Sequence, residues 1–139
     1  MSVVLDSSVL IAALDPGDAD FPSCSALLRT PGCAVHLHAL NETFSTLPGG
    51  SLKTRVRPDL AAELIRERIV GCARVIVLEV PEIVAAQGEA RSRGVRGGAI
   101  YDYLHLVAAR KGGAKILFTL NVPDFVAFPR EGDPEIRRP

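Results

Sequence analysis

The chain has 139 residues, of which 47% are hydrophobic, so it is long and apolar enough for one compact domain with its own core. Its 16 basic and 16 acidic residues balance, and this composition excludes an intrinsically disordered chain. The sequence shows no signal-peptide pattern and no apolar run of membrane-spanning length, and its three cysteines form no Cys-x-x-Cys pair, so we expect a reducing, cytoplasmic location without a membrane contact.

Short apolar runs alternate with helical patterns along the whole chain. The predicted strands cover residues 3–5, 34–38, 75–78 and 115–119. The predicted helices cover residues 9–14, 21–29, 58–69, 81–93 and 99–111. A further helix is predicted after the second strand, and Asn41 is expected to cap it. Residues 51–57 are predicted to form a basic loop, and Ser7 or Ser8 is expected to cap the first helix.

The order of these elements predicts the fold class. Because the strands are continuous apolar runs, they suit a sheet that is covered on both faces. We therefore predict an α/β fold: a single three-layer domain with a mostly parallel sheet of four to five strands and helices on both faces. This domain is assigned to residues 1–128, and residues 129–139 are expected to form a charged, proline-rich, loosely held tail.

Four acidic residues are expected at the edge where the strands end, which is where open sheets of this kind bind ligands. Asp6 follows the first strand, Glu42 lies in the first turn of the helix after the second, and Asp124 follows the fourth. Asp102 begins the helix that leads into the fourth strand and interrupts an apolar segment. Each acid alone also fits an ordinary role at a helix N-terminus or in a turn, but their shared edge favours a common crevice.

The chemistry of these acids indicates the ligand. Carboxylates that share a crevice repel one another unless a cation neutralises them. Oxygen ligands without a cysteine or histidine cluster suit Mg²⁺ or Mn²⁺ better than zinc. His36 and His38 are predicted to be ordinary residues on one face of the second strand, and His105 is predicted to be a packed helix residue, although it follows Asp102 by one turn.

Four segments resemble, in this order, the PIN-domain family and within it the VapC-like toxins of toxin–antitoxin pairs. The matching segments are VVLDSSVLI at residues 3–11, NETF at 41–44, GAIYDYLHL at 98–106 and TLNVPDF at 119–125. Each segment is a weak signal alone, and the ordered set with these intervals is more specific.

The resemblance assigns site residues to this chain. The family's catalytic quartet of acids falls on Asp6, Glu42, Asp102 and Asp124. Many members carry an acid at the position of Asn121, so Asn121 and Asp124 are expected to lie in the same part of the site. Ser7 or Ser8 stands where members often place a small hydroxyl residue near the metal.

The resemblance also implies an activity and partners. It implies a Mg²⁺-dependent endoribonuclease, a homodimer and a cognate VapB-like antitoxin that blocks the groove. On this hypothesis Asp6 and Asp102 lie closest to the metal, Asp124 completes the shell, and Glu42 orients or deprotonates the attacking water. Three arginines are expected to hold the RNA backbone: Arg55, Arg57 and Arg96.

Two other functions stay open at this stage. One is a catalytically inactive PIN-like domain that only binds RNA or a protein. The other is phosphoryl transfer through an aspartyl intermediate on Asp6, although such enzymes usually carry a second Asp where this chain has Ser8. The sequence does not name the RNA, and transfer, ribosomal and messenger RNA are all compatible with it.

Overall fold

The computed structural model describes residues 2–49 and 56–139, and its centre is a parallel sheet. Within these ranges the sheet has five strands, β1 (Val3–Leu5), β2 (Cys33–His36), β3 (Arg74–Ile76), β4 (Ile116–Phe118) and β5 (Glu135–Arg137). They lie in the order β3-β2-β1-β4-β5, and every neighbouring pair is parallel. The carboxyl ends of the strands therefore meet at one edge of the sheet.

Helices connect the strands. The described ranges contain six α-helices, α1 (Ser7–Leu14), α2 (Phe21–Leu28), α3 (Leu37–Gly49), α4 (Pro58–Leu64), α5 (Val80–Glu89) and α6 (Ala99–Lys111). A π-helical segment, Ile65–Val70, continues α4, and a short 3₁₀ helix, Val122–Asp124, follows β4. In this described part of the chain, no helix is both long and apolar enough to cross a membrane.

Apolar side chains on the two faces of the sheet form two parts of the core. Val3 and Leu5 pack on one face with α1, α2 and the π-helical segment, whereas Val4 packs on the other face with α5 and α6. This division follows from the strand itself, because successive side chains point to opposite faces. The predicted α/β fold, a mostly parallel sheet with helices on both faces, is confirmed.

The structure corrects the predicted boundary between β2 and α3. The strand ends at His36 and the helix begins at Leu37 without a loop. Asn41 therefore lies inside α3 and does not cap it, Glu42 lies in the second turn, and His38 belongs to the helix. The physical reason is pairing: the register of β2 with its neighbours ends at His36, and beyond it a helix satisfies the backbone hydrogen bonds.

The segment 129–139 is not the loosely held tail that its composition predicts. Glu135–Arg137 forms β5 and pairs in parallel with β4. The side chain of Asp133 is 7% exposed and accepts hydrogen bonds from Arg93 Nη1 at 2.8 Å and from Arg110 Nε at 3.0 Å. The sheet thus extends beyond residue 128, and ion pairs hold a segment whose polar sequence suggested disorder.

Replacement of Asp133 by alanine is expected to lower the free energy of unfolding by about 2–3 kcal/mol, because it leaves the partly buried guanidinium of Arg93 without a carboxylate and removes the nearer of the two that pair with Arg110. Burial alone would raise the pKa of Asp133, but hydrogen bonds from the Arg130 N–H and from Arg93 and Arg110 lower it. The contribution of Asp133 to the free energy of unfolding is therefore present at neutral pH, and it is lost as the pH falls through that lowered pKa. Urea unfolding at neutral and acid pH measures both effects.

The matched control is Asp59→Ala. The Asp59 carboxylate also pairs with an arginine, Arg57, at 3.2 Å, but its side chain is 73% exposed, so its loss should change the free energy of unfolding little. Equal losses in the two variants would show that the buried ion pairs do not hold the C-terminal strand.

Candidate active site

Asp6 occupies the junction between β1 and α1. It is the N-cap residue of α1, and its Oδ1 accepts a hydrogen bond from the Val9 N–H at 3.2 Å. The cap role expected for Ser7 or Ser8 therefore belongs to Asp6, because Ser7 is already helical. The Asp6 side chain is 3% exposed and lies at the carboxyl edge of the sheet.

Ser8 connects Asp6 to the segment that follows β4. Its hydroxyl donates to Asp6 Oδ1 at 2.5 Å and accepts from the Leu120 N–H at 2.9 Å. The Thr119 hydroxyl lies 3.4 Å from that of Ser8 and accepts from the Asn121 N–H at 3.0 Å. Sequence reasoning missed Thr119 as a residue of the site, although Thr119 begins the matching segment TLNVPDF and places a hydroxyl at the end of a predicted strand.

Glu42 and His105 form a hydrogen-bonded pair between α3 and α6. Nε2 of His105 lies 2.8 Å from Oε1 of Glu42, and the imidazole is fully buried. Burial would raise the pKa of Glu42, but the His105 ring, the His38 ring and the Ser7 hydroxyl outweigh it and lower the pKa. Glu42 is therefore ionised at neutral pH, and since an ionised carboxylate only accepts, His105 donates from Nε2.

His105 is both a packed residue of α6, as predicted, and a part of the crevice. Within the described residues its Nδ1 is buried without a hydrogen-bond partner. The His36 ring packs edge-on against it, with ring centroids 5.6 Å apart. Burial and the neighbouring histidines lower the pKa of His36 to about 4, so His36 is neutral and does not compete for Glu42.

Asp102 lies in the first turn of α6. Burial raises its pKa to about 6. The charges of the other candidate acids raise it as well, namely those of Asp6, Glu42 and Asp124, while the His105 ring opposes them. The fold thus brings the three other predicted acids within electrostatic reach of Asp102.

Negative charge in the crevice is incompletely compensated. Burial raises the pKa of Asp6, although the His105 ring and the Ser8 hydroxyl oppose the rise. Among the described residues, no three His, Cys, Asp or Glu side chains are grouped closely enough to hold a metal ion by themselves. Binding of Mg²⁺ by these acids stays a prediction; this ion usually keeps several waters and takes only one or two carboxylates directly.

Asp124 and Asn121 are both exposed, and the charge of Asp124 acts on Asp102. Both lie after β4, where the Asp124 N–H donates to the Asn121 carbonyl oxygen at 2.9 Å. Asp124 is the most exposed of the four acids, since Asp6 is buried and Glu42 and Asp102 are half-buried. The metal-binding role of Asp124 and the supporting role of Asn121 stay predictions.

The arginines that were predicted to hold RNA are only partly described. Arg55, with the rest of the predicted basic loop up to that residue, lies outside the described ranges. Arg57 is exposed and pairs with Asp59, and Arg96 is exposed shortly before α6. Both side chains are accessible to a polyanion, and their contact with RNA stays a prediction.

Toxin structures share this architecture. The protein is similar to VapC20 of Mycobacterium tuberculosis, a sarcin–ricin loop cleaving toxin, with a TM-score of 0.72 and 22% identity over 96% of this chain and 100% of that one. It is similar to DNA-bound VapBC from Salmonella typhimurium, with a TM-score of 0.70 and 16% identity over 99% and 98% of the two chains. VapBC2 from Rickettsia felis, bound to a promoter fragment, gives a TM-score of 0.67 and 16% identity over 99% and 98%.

These similarities define the class of fold. The chain has the PIN-domain fold, as the order of its motifs predicts. It shares that fold with the VapC toxins over nearly its whole length. The sequence itself matches no protein-family model and no curated protein.

Without divalent cations, the contribution of Asp102 to the free energy of unfolding is expected to fall as the pH rises from about 4 to about 6, because its pKa is raised from 3.8 to about 6. His36, whose pKa is lowered to about 4, contributes a slope of the opposite sign, so the prediction concerns the difference between variants. In that interval Asp102 is more protonated in the folded protein than in the unfolded chain, so a rise in pH disfavours the folded state through this residue. Asp102→Asn should remove this part of the slope. Urea unfolding in chelator, as a function of pH, compares the two proteins.

Glu63→Gln is the control for that comparison, because Glu63 is an exposed acid on α4. The free energy of unfolding of this variant should depend on pH as it does in the unmodified protein. If Asp102→Asn also keeps the full slope, the crevice does not raise the pKa of Asp102.

Proposed function

We propose that the protein is a Mg²⁺-dependent endoribonuclease, the toxin of a VapBC-type toxin–antitoxin pair. The observation that carries the proposal is the crevice of acids at the carboxyl edge of the sheet, where burial and neighbouring charges raise the pKa of Asp102 to about 6. A divalent cation relieves this repulsion. The similarity of the fold to a toxin that cleaves the sarcin–ricin loop supports RNA as the substrate.

The environment of each side chain indicates its role in the proposed reaction. Asp6, Asp102 and Asp124 would hold Mg²⁺, or Mn²⁺ in its place. When bound, the ion lowers the pKa of a water and stabilises charge on the phosphate. Glu42 orients the attacking water or accepts its proton, and the hydrogen bond from His105 keeps Glu42 ionised for that role.

The proposal extends to partners. The VapBC complexes among the similar structures support a VapB-like antitoxin as the cognate partner. A homodimer that acts on RNA in the cytoplasm is part of the same proposal. Arg57 and Arg96, both exposed, are the described candidates for contacts with the RNA backbone.

Phosphoryl transfer through an aspartyl intermediate fits the site less well. Ser8 stands in place of the second Asp, and its hydroxyl donates a hydrogen bond to Asp6 Oδ1 at 2.5 Å. An inactive RNA- or protein-binding domain is the alternative that the next experiment separates.

Asp6→Asn is expected to lower the rate of RNA cleavage by about 100-fold or more, beyond the loss typical of groups that only support a metal ligand. Asn is a good N-cap and can still accept the hydrogen bond from the Val9 N–H, so the fold should persist. Cleavage of structured RNA by the purified protein should require Mg²⁺ or Mn²⁺ and stop with chelator.

Glu63→Gln serves again as the control, because Glu63 is an exposed acid of α4 outside the candidate site, and its replacement should leave cleavage unchanged. Mg²⁺ should also raise the Tm of the unmodified protein, and by less in Asp6→Asn. Undiminished cleavage by Asp6→Asn, or cleavage in chelator, contradicts the proposal. RNA binding without cleavage under any metal condition would identify an inactive binding domain.

His105→Leu is expected to lower kcat by roughly 10- to 100-fold with little change in KM, because it removes the donor that positions Glu42. His105→Gln keeps an N–H donor near the place of Nε2 and should recover most of that loss. In a Glu42→Gln background, His105→Leu should add little, since both act through one interaction. Single-turnover cleavage measures each case; a fully additive loss, or no recovery with Gln, would reduce His105 to a packing residue.

A further inference from the structure

Two aromatic rings stack face to face beside the crevice. The His38 ring, on α3, and the Tyr101 ring, on α6, have centroids 5.0 Å apart and planes that differ by 14°. We refer to His38 and Tyr101 as the aromatic pair. Neither the fold nor the proposed chemistry of the acids accounts for it.

The sequence places the aromatic pair directly next to the acids. Tyr101 precedes Asp102 in the first turn of α6, and His38 lies one turn before Glu42 on α3. His38 is near enough for its charge to lower the pKa of Glu42. The aromatic pair therefore borders the place where a scissile phosphate would sit.

The exposure of Tyr101 separates it from core residues. Its side chain is 50% exposed, whereas Tyr103, on the same helix, is fully buried and donates its hydroxyl to Glu89. His38 covers one face of the Tyr101 ring, so solvent reaches the remaining surface of the stack. An exposed aromatic surface that is prearranged by a neighbouring ring offers a flat partner for another ring.

We infer that the aromatic pair is a stacking platform for an unpaired nucleobase of the RNA, next to the phosphate that enters the acid crevice. The inference rests on the proposed function and deepens it, because it names the part of the substrate that this side of the site recognises. Proteins that bind single-stranded RNA stack splayed bases on Tyr and His rings, and such stacking tolerates any base. The platform holds a nucleotide in place and does not take part in the chemistry.

The test compares Tyr101→Phe with Tyr101→Leu, each combined with Asp6→Asn so that the RNA is not cleaved. The probe is a set of single-stranded RNA oligomers, each with one fluorescent 2-aminopurine at a different position. Tyr101→Phe keeps the stack and should preserve the affinity and the quenching of the base that stacks. Tyr101→Leu should weaken binding by roughly 5- to 150-fold and abolish that quenching.

Phe44→Leu is the matched control, because it removes a 38% exposed aromatic ring from α3 itself. Phe44 lies about 200° around the helix from Glu42, on the far side from the crevice. It should leave RNA affinity unchanged. In the cleaving protein, Tyr101→Leu should raise KM more than it lowers kcat.

A second measurement keeps the ring and covers the case in which Tyr101→Leu does not fold. The chain has two tyrosines and no tryptophan, so in Tyr103→Phe the intrinsic fluorescence comes from Tyr101 alone. RNA should quench this emission, after correction for absorption by the RNA. Unchanged emission with bound RNA overturns the inference.

The outcomes separate the two proposals. Cleavage that Asp6→Asn abolishes, together with equal RNA affinity for Tyr101→Leu and Tyr101→Phe, overturns the platform alone. Stacking without cleavage supports the platform and overturns the nuclease. Failure of every variant to bind the RNA oligomers overturns the platform, and it overturns both proposals when the unmodified protein also fails to cleave structured RNA.

Discussion

The position of Asp6 is the constraint on which the crevice depends. This residue follows β1, the central strand, and its carboxylate caps α1. The same carboxylate accepts the hydroxyl of Ser8, which in turn accepts a hydrogen bond from the chain after β4. One side chain thus joins the first strand, the first helix and the far side of the site, which explains how a buried acid is held at a ligand-binding edge.

The acids around Asp6 are not equivalent, because burial and His105 act on them differently. His105 donates to Glu42 and lowers its pKa, whereas burial and the nearby carboxylates raise that of Asp102 to about 6. Acids whose environments push their pKa values apart can serve different roles at one pH. On the proposed mechanism, Glu42 would accept a proton and a cation would stabilise Asp102 in its ionised form.

The local sequence pattern predicted the strands β1 and β4 correctly but predicted a loose tail where the C-terminal strand lies. Continuous apolar runs identified the strands 3–5 and 115–119 because these strands are buried on both faces, as β1 and β4 are. Residues 129–139 have no such run, and their strand is held by Asp133, which pairs with Arg93 and Arg110. No local pattern can match charges that are so far apart in the chain.

The sequence by itself determined the alternation of strands and helices, the order of the motifs and the acids that end at one edge, because these depend on neighbouring residues. Tertiary structure decided the direct passage from β2 into α3, the pairing of Glu42 with His105 and the stacking of His38 on Tyr101. The first depends on where the pairing of β2 with its neighbours ends. The other two depend on the distance between α3 and α6, two helices that meet only when both pack against the sheet. That distance is set by packing, and no spacing along the chain encodes it.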